Sequence, residues 1–408
     1  STFVLNLFFF FSFVVNLSFA DEKIQIKQYE TGGIYEGEFL DGKQHGKGKY
    51  SLPSGYQYEG DWKEGKIEGF GKAKYPDGSF YEGTFIDGQH SGEGKIIFPD
   101  GSFYKGNWLE GNFNGYGFLE YSNGITLEGN FFNGLLDGKG TQKNKNGYIY
   151  NGDWKIGEKT GIAIINYDGG GKYEGGVLKG TRNGKGKLTL LDGSILEGNF
   201  INGTISGKGS IIYANGDSYQ GELLKNNIEG QGIKKFASGS KYDGSFKNNL
   251  FNGFGFYETK DGYKAEGNWY KGQIEGKGKI TYPDLSVYNG DLVKGLPNGT
   301  GTITYGDGSN YSGQWLNGKI DGFGIAKYLN GQIYTGNFKN GKNHGKGKMI
   351  FGDGYTYEGL WSNGLFDGEG VAKYSDGSKY IGFFKMGKRH GFGKIEMVDG
   401  STFEGNFD

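Results

Sequence analysis

The residue types able to do chemistry are few in this chain, and they recur at fixed intervals. Four histidines, His45, His90, His344 and His390, could supply general-base or metal-ligand chemistry through their imidazoles. Each reads as part of a loop just before a recurring glycine. The closest pairs lie nearly two repeat lengths apart, roughly 20 Å if each repeat adds two strands. They cannot share one metal in a monomer. The chain has no cysteine, so disulfides, thiolate metal sites and a cysteine nucleophile are excluded. Gly-x-Gly recurs throughout, but a dinucleotide fingerprint needs a third glycine three residues on and a following helix, and neither is present. No cluster of catalytic residue types interrupts the pattern. The sequence therefore predicts a non-enzyme with no catalytic residue, no cofactor-binding residue and no metal ligand.

Charged residues keep the same spacing. Glu36, Glu59, Glu82, Glu128, Glu174, Glu197 and Glu358 recur at one place of the repeat, and Lys47, Lys49, Lys72, Lys95, Lys185, Lys187, Lys277, Lys279, Lys346 and Lys348 at two others. On adjacent strands they would form exposed cross-strand ion pairs, each of small energetic value. Their functional reading is a mixed-charge platform for a protein partner or for lipid headgroups. Lys plus Arg number 45 against 46 Asp plus Glu, a balance that gives no basic field for nucleic acid and makes headgroup binding the weaker version.

What positions these residues is a period of 23. An aromatic-x-Gly-x-aromatic core begins at Tyr35 and returns at Tyr58, Tyr81, Tyr104, Leu127, Tyr150, Tyr173, Leu196, Tyr219, Tyr242, Ala265, Tyr288, Tyr311, Tyr334, Tyr357, Tyr380 and Phe403, with no insertion or deletion. Counted from that residue, positions three, eight, twelve, fourteen and twenty-one absorb 77 of the 84 glycines. All six tryptophans fall at position five, where most other units carry phenylalanine.

Within one unit Tyr58, Gly60 and Trp62 alternate with Glu59, Asp61 and Lys63, the period of two of a strand with an aromatic face and a charged face. Glu64-Gly65, replaced elsewhere by Asp-Gly or Asn-Gly, reads as a hairpin turn. Gly69, Gly71, Ala73 and Tyr75 then alternate with Phe70, Lys72 and Lys74 as a second strand, and Asp77-Gly78 reverses the chain again. The glycines at positions three, twelve and fourteen leave slots in which aromatic rings can lie. The fold expected is all-β, an elongated single-layer array of antiparallel hairpins. At about 4.8 Å per strand, thirty-two strands in one sheet would make a rod or ribbon of roughly 150 Å. Residues 35–402 hold sixteen repeats and 403–408 a truncated C-terminal repeat. Residues 21–34 read as an N-terminal cap, with Ile24 and Ile26 alternating before Tyr29 and Gly32.

Residues 1–20 carry no charge and include the run Phe8 to Phe11. Ser18 and Ala20 place small residues before Asp21 as a signal-peptidase site would need, so a signal peptide is expected, with a membrane-anchoring helix as the alternative. Either reading makes the protein membrane-associated, secretory or extracellular. Asn202, Asn298 and Asn310 each open an Asn-x-Ser/Thr sequon, whose glycosylation would mark a secretory route.

The pattern Tyr-Glu-Gly-x-Trp/Phe, then x-x-Gly, then Gly-x-Gly, closed by Tyr-x-Asp-Gly, resembles the MORN motif, and Tyr58 to Tyr81 matches it almost position for position. The resemblance covers residues 35 to 408. It implies a hairpin array and a scaffold that binds other proteins or itself, with a cytoskeletal or ciliary setting as the alternative location. The repeats leave no stretch for the kinase or methyltransferase domains that some family members carry. The aromatic face is the candidate partner site: Tyr58, Trp62, Tyr75, Trp108, Trp154, Trp269, Trp315 and Trp361. Those rings first cover their own sheet, and a peptide, a helix or a second copy would complete the face. A lipid- or polysaccharide-binding module at a membrane or cell surface is the competing function.

Overall fold

The computed structural model describes residues 24–408. The expected signal peptide or anchor at 1–20, and the first residues of the 21–34 segment, lie outside the described residues. Among the described residues all regular elements are strands, β1 to β34 in chain order, paired antiparallel. Among the described residues no helix is long and apolar enough to cross a membrane.

The chain divides into two compact units, one ending at Asp168 and the other running from Gly169 to Asp408. In the first, β1 (Gln25–Gln28) through β13 (Glu158–Asn166) each pair with the next strand in sequence. In the second, β14 (Lys172–Leu178) through β34 (Thr402–Phe407) do the same. The all-β array of antiparallel hairpins expected from the 23-residue period is the fold observed.

One hairpin shows why the sequence folds this way. Strands β4 (Gln57–Lys63) and β5 (Lys66–Lys74) are joined by Glu64 and Gly65, with φ of 51° and 87°. Two successive positive φ values define the type I′ turn, whose twist matches that of the strands it joins. Asp77 then builds the return loop: its Oδ1 accepts hydrogen bonds from the N–H (2.9 Å) and hydroxyl (2.6 Å) of Ser79.

Strict alternation fails in the middle of each hairpin. Gly60 faces Gly71 and Trp62 faces Ile67, so Asp61 alone spans Glu68, Gly69 and Phe70. This bulge frees backbone groups, and neighbouring side chains satisfy them: the Tyr58 hydroxyl donates to the Asp61 carbonyl (2.9 Å), while the Asp61 carboxylate accepts the Phe70 N–H (2.9 Å). Gly69 therefore belongs to the bulge, at φ 109°, and not to a ring slot as alternation predicts; a Cβ there would meet the Asp61 side chain. The slots are Gly60 and Gly71. A Cβ on Gly71 would stand 2.4 Å from the Tyr58 ring.

Where the first-position tyrosine is absent, an aliphatic residue at position ten fills the space. Leu136, Ile205 and Ile274, in the units beginning at Leu127, Leu196 and Ala265, are each at most 2% exposed. The Leu136 and Ile274 methyls lie 3.2 Å from where a Cβ on Gly140 or Gly278 would be.

Candidate interaction faces

The ring face holds adjacent hairpins together. The Trp62 indole N–H donates to the carbonyl of Gly48, in the preceding hairpin, at 3.3 Å. Its ring stands edge-on to Tyr35 of that hairpin (5.1 Å) and to Tyr58 of its own (5.5 Å). Trp108, Trp154, Trp269, Trp315 and Trp361 make the same backward hydrogen bond, to Gly94, Gly140, Gly255, Gly301 and Gly347. Such T-shaped pairs contribute about 0.5–1.5 kcal/mol each beyond area burial. Position five is thus the link between neighbours in a nearest-neighbour array.

Of the aromatic residues predicted as a partner site, Tyr58 and all six tryptophans are at most 9% exposed. Tyr58 and Trp62 are brought together in one hairpin; the other tryptophans lie in separate hairpins. Tyr75 is half-buried and its hydroxyl sits 2.5 Å from His90 Nε2. Burial pushes the first-position phenols up, Tyr35 to about 12, so they stay protonated donors.

The histidines lie inside strands and not in loops as the sequence suggests: His45 in β3 (Lys43–Ser51), His90 in β7 (Gln89–Ile97), His344 in β29 (Lys342–Ile350) and His390 in β33 (Lys388–Glu396). The bulge keeps the strand continuous past them. His90 stacks on Tyr81 at 3.7 Å, and burial lowers its pKa to about 4. Among the described residues no three His, Asp or Glu side chains gather as a metal site would require.

The opposite face carries the expected ion pairs. From β2 (Ile34–Leu40) to β7, Glu36, Lys49, Glu59, Lys72, Glu82 and Lys95 alternate directly across the strands. Lys49–Glu59 lies at 3.5 Å and Lys72–Glu82 at 3.2 Å; Lys348–Glu358 repeats the arrangement in the second unit at 3.2 Å. A parallel row pairs Lys47 with Asp61 and Lys277 with Asp291, whose carboxyl is held at about 2 by hydrogen bonds from Lys277 and Thr300. Missed by the sequence reading are exposed aromatic residues on this charged face. Phe70 (51% exposed) and Tyr116 (56%) occupy the place where other units carry lysine. That substitution within the column was the available signal.

Stacked hairpins cross-linked by position-five rings, with one ring-filled face and one charged face, define a tandem β-hairpin repeat protein. The MORN repeat family model matches fifteen times, from 35–55 to 380–402, and the one interruption longer than a few residues falls between 147 and 173. The chain belongs to the MORN repeat family. Among curated proteins no sequence matches it. Solved structures similar to it include the TCP10 domain of Danio rerio CPAP in complex with a STIL peptide, at 14% identity over 55% of this chain and 96% of that one, with a TM-score of 0.28. The SAS-4 TCP domain of Drosophila melanogaster, in complex with a proline-rich motif of Ana2, matches at 14% identity over 42% and 86%, with a TM-score of 0.25. Virginiamycin B lyase of Staphylococcus aureus matches at 10% over 72% and 94%, with a TM-score of 0.12. Overlaps this small carry no functional inference.

Proposed function

We propose that this protein is a non-catalytic scaffold that uses the regular face of its hairpin units to hold protein partners, at a membrane or along an export route. The observation that carries the reading is the division of labour between faces. Rings and glycines on one face are consumed by the fold, and the other presents rows of exposed side chains at a constant spacing. Family membership supports the scaffold part. Membrane association or export rests on the apolar segment 1–20 and on the sequons, of which Asn202 is exposed in a hairpin turn.

Affinity purification of the full chain from its native cells, repeated with variants lacking two hairpins at a time, tests the scaffold reading. A partner lost with one contiguous block supports it; partners that survive every deletion, or a purified chain that turns over a substrate, refute it. Mass spectrometry of the native N-terminus tests the location. A start at Asp21 means cleavage, a retained segment means an anchor, and an N-terminally acetylated, unglycosylated chain released freely from the cytoplasm would overturn both. A lipid- or polysaccharide-binding module is the second reading, favoured by the exposed Phe70 and Tyr116 beside lysines. Liposome flotation and glycan pull-down decide it, with loss on Tyr116→Ala as the expected result.

A further inference from the structure

Three asparagines in the second unit open Asn-x-Ser/Thr sequons, and the fold treats them differently. Asn202 is the first residue of the two-residue turn between β16 (Ile195–Ile201) and β17 (Thr204–Ile212), at φ 48° with Gly203 at 84°. Ile201 and Thr204 face each other across that turn, so the asparagine and the sequon threonine both stand at the end of the hairpin. Asn202 is exposed, and its carboxamide has no hydrogen-bond partner among the described residues.

The other two sequons lie in paired strands. Asn298 is inside β25 (Leu296–Thr304) and half-buried; its Nδ2 donates to Asn317 Oδ1 at 3.3 Å, and the hydroxyl of its Thr300 donates to Asp291 at 2.8 Å. Asn310 opens β26 (Asn310–Leu316) between Thr304 and Lys327 of the flanking strands, and its sequon continues through Tyr311, which is 1% exposed. A hairpin closes in about 1–10 μs, far faster than a chain is delivered at about 5–20 residues per second, and each new hairpin here is laid down on a preceding one. Asn298 and Asn310 are therefore taken into strands once their hairpins emerge, while Asn202 stays presented. The same turn carries Asn-Gly at Asn133, Asn317, Asn340 and Asn363, with φ of 47°, 49°, 47° and 49°. Leu135, Lys319, Lys342 and Leu365 follow there in place of a hydroxyl residue, so of these turns that of Asn202 alone completes an acceptor.

We propose that Asn202 is an N-glycosylation site and that Asn298 and Asn310 stay largely unmodified. In the transfer, the Asn202 amide nitrogen forms a bond to the anomeric carbon of a lipid-diphosphate-linked oligosaccharide. The bond from that carbon to the phosphate oxygen breaks, the lipid diphosphate leaves with the electron pair, and one amide proton passes to a base of the transferase. The proposal rests on the secretory reading of residues 1–20. Leu178, Ile201 and Leu224 end the first strands of three successive hairpins, each about half exposed. At about 10 Å from hairpin to hairpin, a glycan rooted at Asn202 reaches over both neighbours and keeps this apolar edge in water.

The test expresses the full chain twice in a eukaryotic secretory host, once with residues 1–20 as they stand and once behind an added cleavable leader that ensures entry. Enzymatic removal of N-glycans in heavy-oxygen water converts each occupied asparagine to labelled aspartate, which mass spectrometry locates. The expected result is label at Asn202 about fivefold or more above that at Asn298 or Asn310. Thr204→Val abolishes it with the asparagine still in place, and Lys342→Thr, which completes an acceptor at Asn340 in the same kind of turn, gains a second glycan. Equal label at all three sequons, an unlabelled Asn202 in the leader-borne chain, or no glycan gained at Asn340 would overturn the proposal. Label at Asn202 only behind the added leader would overturn the secretory reading and leave the site standing.

Discussion

Replacing Gly71 with alanine probes the physical unit on which the fold depends. The new Cβ would lie 2.4 Å from the Tyr58 ring, which is 2% exposed, tied by its hydroxyl to the Asp61 carbonyl, and flanked edge-on by Trp62 at 5.5 Å and Phe85 at 5.2 Å. Overpacking of this kind costs about 1–3 kcal/mol, and loss of the tyrosine hydrogen bond adds about 1 kcal/mol. Removing glycine's freedom from the unfolded chain returns about 0.4–1 kcal/mol. The net expectation is a loss of about 2 kcal/mol. One hairpin sets the upper limit: Ala163 occupies the equivalent place, yet Tyr150 is fully buried with its hydroxyl 2.7 Å from the Asp153 carbonyl. The backbone there accepts a methyl group without expelling the ring, so the cost should not exceed about 3 kcal/mol. In a Tyr58→Leu background the contact eases without vanishing, since a Cβ on Gly140 or Gly209, in the units beginning at Leu127 and Leu196, would still meet neighbours at 3.1 or 2.8 Å, so Gly71→Ala should cost about 1 kcal/mol. The coupling energy is then about 1 kcal/mol. Because a repeat array opens in segments, the cycle is read by amide hydrogen exchange of β4 and β5. A coupling below about 0.5 kcal/mol would refute the claim that tyrosine and glycine act as one packing unit.

Three further outcomes are expected. Leu285 takes a left-handed φ of 69° where the other complete hairpins have glycine, and it is 74% exposed, so Leu285→Gly should raise stability by about 0.5–1 kcal/mol in urea unfolding. Trp62→Ala should cost about 3–5 kcal/mol and, since the indole bonds to Gly48, should lower exchange protection in β3 as well as in β4 and β5. His90 is held neutral with a folded pKa of about 4 against an ordinary 6.5, so stability is complete above pH 6.5 and declines as pH falls toward 4. After allowance for partial solvation the loss is about 2 kcal/mol. His90→Phe, which copies the stacked Phe113 on Tyr104, should remove that component from the pH profile of the melting temperature.

The repeat boundaries, the I′ turns and the ion-pair rows were legible in the chain because each rests on local chemistry. Asn-Gly and Asp-Gly favour positive φ wherever they occur, and glutamate and lysine that recur at fixed positions on adjacent strands meet once those strands pair. The candidate partner site was legible only in part. Rings at positions one and five were correctly placed on one face, but that face is closed by its own neighbours, and the exposed aromatic residues stand on the other.

What the sequence by itself determined is the period, the strand content and the identity of the face that glycine leaves open to rings. Only the tertiary structure decided the bulge at Asp61, the separation of Gly69 from the ring slots, and the reach of Trp62 back to Gly48. The physical reason is register. Alternation along one strand is a local property of the backbone, whereas which residue lies opposite which depends on how the next strand is laid down, and a bulge that sets one residue against three moves every later contact in the hairpin to a new partner.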